Sequence, residues 1–489
     1  MTGNESDSRP RRLDLTSWAP GVSLLILAAL LRFYRLDAQL WLDEIAALAQ
    51  LRRPFLEVVT KFPGFFPHPL YELLGHTSLA LLGESAFAIR LPAALFGVAG
   101  VLMFYRLVHR LFGRGEALLA GTLLAVSYHH IFFSQDARGY TAFLFLALAA
   151  TDLLLTLLGA LQWRTALAYA GVAALTVYAH PFGLFVPIGQ MLVALPVVWS
   201  RRREHAGTGP APGHLVGVAA LTGFIVLLLY APFVRDSIAY IVTSRTVGGP
   251  RVFDLLPELL EGLRAAFHGY PGLALATIVG MIGILDSIRR QPIAMGLLLS
   301  PLLVGAVAVG ILGMAVLHPR YFLLALPVGY LAGTRGLVVV AREVLKRGLG
   351  PFSIHIAWVQ AALAVLIVAL AVVPLRQYYA TPKQDFLGAL REVRTLAGDD
   401  RVVAAQLAGY GIRDYYAREF PIVNTLPDLL QEEARWRRIW VITTLERILA
   451  ESQPGLSEHL RRNYRLVRVL PGTVGDGAMR IYVRETAGP

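Results

Sequence analysis

The chain has 489 residues, of which 56% are hydrophobic and only 16% are charged, whereas about 25% are charged in an average soluble protein. Apolar runs long enough to cross a bilayer recur along most of the sequence. They exclude a soluble globular protein and predict a polytopic α-helical membrane protein. The sequence contains no cysteine, which excludes disulfides, thiolate metal sites and a cysteine nucleophile.

The first apolar segment runs from about Trp18 to Leu31, after a polar start that contains Arg9, Arg11 and Arg12. In outline it resembles a secretory signal peptide. No small-residue cleavage site follows it, because the sequence RFYR comes next. We therefore expect this segment to stay attached as a membrane anchor.

Ten further segments have the apolar character of membrane spans. They lie at about residues 88–108, 116–134, 139–161, 165–180, 181–200, 214–234, 271–288, 292–317, 320–341 and 355–375. About eleven spans are thus expected within a transmembrane domain of residues 1–375. Arginine clusters occupy alternate connections, which the positive-inside rule assigns to the cytoplasm together with the N-terminus. The net charge of +12 then reflects topology and anionic lipid, and no nucleic-acid partner is expected.

Three regions outside the spans fall on the extracytoplasmic side. They are a first loop at about 36–87, a second long loop at about 235–270 with a turn at Gly248-Gly249-Pro250, and the tail 376–489. The tail combines an amphipathic stretch with four strand-like runs, RVVAAQL, RIWVITTL, YRLVRVL and MRIYVRE. Polar and Gly/Pro segments separate these runs, which is typical of a small extracytoplasmic α/β domain.

The unusual polar residues gather on the extracytoplasmic side of the predicted topology. Charged groups at membrane depth are costly unless they are paired or hydrated, so this one-sided collection predicts a shared polar cavity that can bind an anionic lipid headgroup. The residues concerned are Asp43, Glu44, His68, His129, His130, Asp136, Arg138, His180, His318, Arg320 and Tyr321.

Each of these residues also has a structural alternative. Asp43 and Glu44 can simply open an interfacial helix, where acids favour the N-terminal end of the dipole. Arg138 can pair with Asp136, whereas Arg320 has no acidic neighbour in the sequence, so a phosphate is the partner expected for it. The histidines lie beside aromatic residues or prolines and can be ordinary interfacial side chains. Composition and position leave these alternatives open.

Five ordered segments between about residues 15 and 375 carry a family resemblance. The first span followed by RFYRLDAQLWLDEIAALAQ is similar to the start of GT-C fold glycosyltransferases, and in particular of the protein O-mannosyltransferase, aminoarabinose transferase and RgtA-like families. FPHPLYELL resembles their HPPLYYLL segment, with Leu70 where the family has a second proline. SQDARGYTAFLFLALA, YAHPFGLF and HPRYFLLALP resemble three later family segments.

The resemblance implies a donor sugar carried on a polyprenyl phosphate and an acceptor hydroxyl or amine on a lipid, glycan or protein. Asp43 matches the family acid, which implies that it is the general base of an inverting transfer. Glu44 is assigned to orienting the acceptor or supporting Asp43. We expect the enzyme in a bacterial plasma membrane, with its active site on the extracytoplasmic side.

The donor phosphate needs fixed cations, because it gains negative charge as it leaves. Arg138 and Arg320 suit this task, since a guanidinium holds phosphate oxygens with two parallel hydrogen bonds. The further donor- or acceptor-binding candidates are His68, Tyr71, Tyr140, His180 and Tyr321. No cofactor is expected; a divalent metal is possible with these acids and histidines, but two arginines facing one phosphate make it unnecessary.

Two other classes of function stay open at the level of sequence. A transporter or flippase of lipid-linked sugars predicts broken spans and ionisable groups near the bilayer centre. A non-catalytic scaffold would use the C-terminal tail to recruit partners at the outer surface. Loss of transferase activity on replacing Asp43 separates the transferase from both.

Overall fold

The computed structural model describes residues 15–61, 68–204, 209–244, 269–312, 323–348 and 356–485, together with Leu260, Arg264 and Arg320. The described residues start with one apolar helix, and the described part of the first loop that follows contains three short helices. These elements are α1 (Leu15–Phe33), α2 (Leu42–Leu51), α3 (Phe55–Thr60) and α4 (Pro69–Leu82). The long first loop predicted from the sequence is therefore largely helical.

A bundle of helices follows the first loop. Its members are α5 (Ala86–Phe112), α6 (Arg114–Val126), α7 (Tyr128–Ser134), α8 (Tyr140–Gly159), α9 (Trp163–Ala179), α10 (Phe185–Glu204), α11 (Pro212–Tyr230), α12 (Val234–Ser244), α13 (Tyr270–Arg290), α14 (Pro292–Leu312), α15 (Ala325–Gly348) and α16 (Ile356–Ala380). Their largest apolar core is formed mainly by α1, α5, α6, α8, α9 and α10.

The described helices confirm a polytopic membrane protein. Seven of them are long and apolar enough to span a bilayer, and α6 with α7 makes an eighth if this bent pair is one span. Each of the eleven segments predicted as spans overlaps a helix of the structure. The count of eleven stays a prediction, because α1, α9 and α15 fall outside the set of helices that pass this test.

The segment predicted as one span at 116–134 is broken in the structure. Ser127 leaves helical geometry (φ −60°, ψ 118°) and caps α7, accepting a hydrogen bond from the His130 amide at 3.3 Å. The two helices meet at an angle of 60°. The fully buried Arg32 donates hydrogen bonds to the freed carbonyls of Leu124 and Ala125, at 3.2 and 2.9 Å. The bend therefore has its own donor in place of water.

The C-terminal region forms an α/β domain. Its helices are α17 (Phe386–Ala397), α18 (Gln406–Gly411), α19 (Leu426–Glu433), α20 (Glu446–Ser452) and α21 (Pro454–Asn463). Its strands are β1 (Arg401–Ala405), β2 (Ile422–Val423), β3 (Arg438–Thr443), β4 (Arg465–Leu470) and β5 (Met479–Glu485), in the order β2-β1-β3-β5-β4. β1 is parallel to β2 and β3, whereas β5 is antiparallel to β3 and β4. All four strand-like runs read from the sequence are strands.

Alternation along the strands divides this domain into two apolar layers. Ile439 and Val441 face a layer that includes helices α19, α20 and α21. Trp440 and Ile442 face a second layer built from α17 and from Ile45 and other apolar residues of α2 in the first loop. The C-terminal domain is therefore packed directly against the helix that carries the acidic pair.

Candidate active site

Asp43 and two arginines from distant parts of the chain meet at one point. Asp43 lies in the first turn of α2. Its Oδ2 accepts a hydrogen bond from Arg320 Nη1 at 3.3 Å and lies 3.8 Å from Arg138 Nη2. Arg138 also donates to the backbone carbonyl of Asp43 at 3.2 Å. The Asp43 side chain is 28% exposed, so a substrate can still reach it.

These contacts correct one expectation about ion pairing, that for Arg320, and bear on an alternative left open for Arg138. Arg320 was expected to lack a carboxylate partner, but Asp43 takes that position although 277 residues separate the two. Asp136, the alternative partner that the sequence offered for Arg138, accepts hydrogen bonds from Trp41 Nε1 and Lys383 Nζ, at 2.9 and 3.1 Å. Proximity in sequence does not predict these ion pairs, because turns and helix ends bring side chains that are remote in sequence closer than neighbouring ones.

Glu44 points away from Asp43 into the protein. Its side chain is fully buried, and both carboxylate oxygens accept hydrogen bonds from Arg90 of α5, at 2.6 and 2.5 Å. It also accepts from the Trp41 amide, which makes it part of the cap of α2. With no exposed surface, Glu44 does not reach an acceptor molecule, so the geometry favours a role in supporting Asp43.

Lys383, which follows the last long helix, was not among the residues predicted for the site. Its ammonium group donates to the Gln135 carbonyl at 2.7 Å and to Asp136 at 3.1 Å, and it lies 3.4 Å from Glu44 Oε1. Gln384 then accepts a hydrogen bond from the Leu42 amide at 2.9 Å. The junction between the membrane bundle and the C-terminal domain thus contributes directly to the surroundings of Asp43.

Three of the expected binding residues form a buried aromatic cluster. The His68 ring lies 4.8 Å from the Tyr140 ring and 5.1 Å from the His180 ring, measured between centroids. His68 Nδ1 contacts the Ala179 carbonyl at 3.3 Å, and His180 Nδ1 accepts from the Phe182 amide at 3.0 Å.

The His68 side chain is uncharged at neutral pH. Burial, His180 and Arg138 together hold its pKa well below the usual value. Its Nε2 has no hydrogen-bond partner among the residues that the structure describes. His68 is also buried, so it adds neither positive charge nor exposed surface to the site around Asp43.

Of the remaining two candidates, only Tyr71 is among the described residues, and it does not line the exposed site. Tyr71 is buried in α4, and its hydroxyl donates to the Ile89 carbonyl at 2.8 Å, which is a packing role. Tyr321 lies outside the described residues, as do His318 and the turn expected at 248–250. The structure therefore brings together Asp43, Arg138 and Arg320.

Two solved structures share this architecture over nearly the whole chain. ArnT from Cupriavidus metallidurans in the apo state superposes with a TM-score of 0.53 at 15% sequence identity, covering 96% of this chain and 98% of ArnT. The archaeal oligosaccharyltransferase AglB from Archaeoglobus fulgidus, in complex with an inhibitory peptide and a dolichol-phosphate, gives 0.50 at 15% identity, covering 95% and 74%. The chain has the GT-C fold.

A family model gives a second, independent match. The model for dolichyl-phosphate-mannose-protein mannosyltransferases matches residues 67–235 of the GT-C chain, which is less than half of its length. The matched region runs from the first loop through α11 and includes Arg138 and His180. No curated protein matches the chain. The GT-C fold inferred from the sequence motifs is thus confirmed.

Two of the residues that sequence analysis missed in the GT-C chain did carry a signal. Arg90 lies inside an apolar span, near the end that the sequence predicts to be extracytoplasmic, where the positive-inside rule disfavours a basic residue. Lys383 is one of only three lysines in a chain that otherwise uses arginine. Neither signal identifies a partner, because the pairs with Glu44 span 46 and 339 residues.

In the described part of the chain, the groups that face the Asp43 carboxylate are two guanidinium groups. Within the part of the chain that the structure describes, no three histidine, aspartate or glutamate side chains are grouped to hold one. The Asp43 carboxylate already faces two guanidinium groups, which repel a further cation. The expectation that the reaction needs no metal stays a prediction.

Proposed function

We propose that this integral membrane protein is an inverting glycosyltransferase. It takes a sugar from a polyprenyl-phosphate donor and transfers it to a hydroxyl or amine of a lipid, glycan or protein. The reaction takes place on the extracytoplasmic side of a bacterial plasma membrane. The observation that carries the proposal is the meeting of Arg138 and Arg320 at a partly exposed Asp43 carboxylate.

Two similarities support this function over transport. The mannosyltransferase family model covers Arg138, and AglB, which shares the fold, was solved with dolichol-phosphate. Asp43 and Arg138 lie in the first loop and in the turn before α8, outside the long apolar helices. A transporter is expected to hold such charges near the middle of the bilayer.

The two arginines are the proposed phosphate ligands. A lipid phosphate that enters beside Asp43 competes with the carboxylate for both guanidinium groups, which bind phosphate oxygens in pairs. When Arg138 and Arg320 move onto the phosphate, the Asp43 oxygens become free to accept a proton. Donor binding thus prepares the base.

The reaction then follows from the positions of these groups. The acceptor oxygen (or nitrogen) attacks the anomeric carbon and loses its proton to Asp43. The bond between the anomeric carbon and the phosphate oxygen breaks, and the polyprenyl phosphate leaves with that electron pair. Arg138 and Arg320 stabilise the charge that develops on the phosphate. Attack from the side opposite the leaving group inverts the anomeric configuration.

The test replaces Asp43 by asparagine, which keeps the shape of the side chain and removes its basicity. The matched control is Asp37→Asn, since Asp37 is an exposed acid of the same loop. Purified variants in lipid nanodiscs are assayed with a panel of polyprenyl-phosphate sugars and acceptors. We expect Asp43→Asn to lose about 100- to 10,000-fold in turnover and Asp37→Asn to match the wild type.

Binding of undecaprenyl phosphate, followed by native mass spectrometry, provides a second readout. Asp43→Asn should still bind this lipid, because the two arginines are unchanged. An Asp43→Asn variant that keeps more than about a tenth of wild-type turnover would show that Asp43 is not the base.

A further inference from the structure

Lys383 differs from the other lysines of the chain in its surroundings. The chain has three lysines, and the side chains of Lys61 and Lys346 are 58% and 74% exposed. The Lys383 side chain is only 8% exposed. A buried ammonium group is costly unless every one of its hydrogens has an acceptor, so its position calls for a specific role.

The three donors of the Lys383 ammonium meet three acceptors. They are the Gln135 carbonyl, Asp136 Oδ1 and Glu44 Oε1, at 2.7, 3.1 and 3.4 Å. The Phe132 ring lies 4.6 Å from Nζ and the Trp41 ring 5.6 Å, in cation–π geometry. An ammonium fits this compact set of acceptors, whereas a planar guanidinium is larger and orients its donors differently.

Lys383 also joins the two segments that carry the reactive groups. On one side it contacts Glu44, the residue next to Asp43, and on the other it holds the turn that leads to Arg138. That turn is tight, since the Arg138 amide donates to the Asp136 carbonyl at 2.7 Å. Arg138 is two residues from Asp136 and interacts with it electrostatically, but its side chain contacts Asp43 at 3.8 Å.

We propose that Lys383 is a positioning residue that occupies the Asp136 carboxylate and so leaves Arg138 to Asp43 and to the donor phosphate. This inference rests on the proposed transferase function for its catalytic meaning. Its structural part states which carboxylate, Asp43 or Asp136, the Arg138 side chain contacts, and this does not depend on the reaction. Through this lysine, the C-terminal domain contacts residues next to the active site.

The charges of the cluster are consistent with this role. Glu44 and Asp136 face Arg90 and Lys383, so two buried anions meet two buried cations. Although burial opposes ionisation, Lys383 and Arg138 hold the pKa of Asp136 below its usual value. After Lys383, Arg138 is the cation that stabilises the ionised Asp136 most strongly.

The experiment is a double-mutant cycle at positions 383 and 136. It compares Lys383→Met, Asp136→Asn and the double variant with the wild type, and Lys346→Met is the control at an exposed lysine. Turnover, the KM for the donor and the thermal unfolding midpoint are measured for each. A structure of Lys383→Met in nanodiscs gives the position of the Arg138 guanidinium.

We expect Lys383→Met to lose on the order of 100-fold in turnover, because a displacement of about 1 Å at a catalytic group has this effect. Adding Asp136→Asn should restore activity to the level of Asp136→Asn alone. In the Lys383→Met structure, the Arg138 guanidinium should lie on Asp136 instead of Asp43. Lys346→Met should match the wild type.

Three results would overturn the inference. One is a Lys383→Met structure in which Arg138 stays on Asp43. Another is a double variant as inactive as Lys383→Met alone, which would mean that Lys383 acts other than through Asp136. The third is a Lys383→Met variant with wild-type turnover.

The double variant loses one buried cation and one buried anion, so its buried charges stay balanced. If Lys383→Met does not fold, the activity of the double variant is compared with that of Asp136→Asn. If the wild-type protein transfers no sugar, the proposed function fails, and the position of Arg138 still decides the inference about Lys383.

Discussion

The buried pair between Glu44 and Arg90 should be a major determinant of stability in the first loop. The change to make is Glu44→Gln, which keeps the size of the side chain and removes its charge. The chain offers a matched control in Glu84→Gln. Arg52 and Glu84 also form a two-point pair, with distances of 2.9 and 2.5 Å, close to the 2.6 and 2.5 Å of Arg90 and Glu44.

The two pairs differ in burial, and burial determines how much unfolding free energy each variant is expected to lose. The side chains of Arg90 and Glu44 are 3% and 0% exposed, whereas those of Arg52 and Glu84 are 37% and 43% exposed. Removing one partner of a buried pair leaves an uncompensated charge and costs about 3–5 kcal/mol. An exposed pair contributes about 0–1 kcal/mol, since water solvates both groups. We therefore expect Glu44→Gln to lower the free energy of unfolding several times more than Glu84→Gln.

The assay is unfolding in one detergent at fixed pH, followed by tryptophan fluorescence. Trp41 reports directly, because its amide hydrogen bonds to Glu44 and its indole to Asp136. Unfolding midpoints shifted by equal amounts in the two variants would refute the argument from burial. Repeating the measurement at high salt adds a control, since salt weakens only the exposed pair appreciably.

Three further predictions concern the donor site, pH and topology. Arg320→Lys should weaken undecaprenyl phosphate binding by about tenfold, because the paired hydrogen bonds to the phosphate are lost. The control is Arg461→Lys, and binding is followed by native mass spectrometry. An Arg320→Lys affinity equal to that of the wild type would exclude the phosphate role. Burial raises the pKa of Glu72 to about 7 from 4.5, so stability should fall by about 3 kcal/mol as pH rises between these values. Glu72→Gln should flatten that slope in unfolding measurements, and an unchanged slope would contradict the assignment. A reporter fused after Pro489 should be extracytoplasmic, and a cytoplasmic reporter would mean that the spans were miscounted.

Periodicity and length made most elements of the fold predictable. The four strand-like runs of the tail are strands. They could be recognised because a strand between two apolar layers is apolar on both faces, as the run Ile439 to Ile442 is. The short strand β2 was missed, since two residues carry no period. The break at Ser127 was also missed, because the apolar character of the segment continues through it while the backbone turns.

The candidate site was predictable as a set of residue types at one membrane side, but its pairings were not. Asp43, Arg138 and Arg320 were all expected on the outer side, and the structure brings them together. The assignment of each arginine to its carboxylate depends on angstrom-scale packing between remote elements. Lys383 shows why pairings are not predictable from sequence. A lysine after the last span is typical of an interfacial anchor, and only the structure shows its three acceptors.

The bend between α6 and α7 has a consequence for how the chain is inserted into the membrane. A helix broken inside lipid exposes carbonyl groups that lipid cannot satisfy. The donor for Leu124 and Ala125 is Arg32, which is synthesised 93 positions before Ala125. The bent helix pair therefore cannot reach its final form as an independent hairpin. We therefore expect the bend to form only once α1 lies beside α6, so that α1 acts as an internal template for the broken helix.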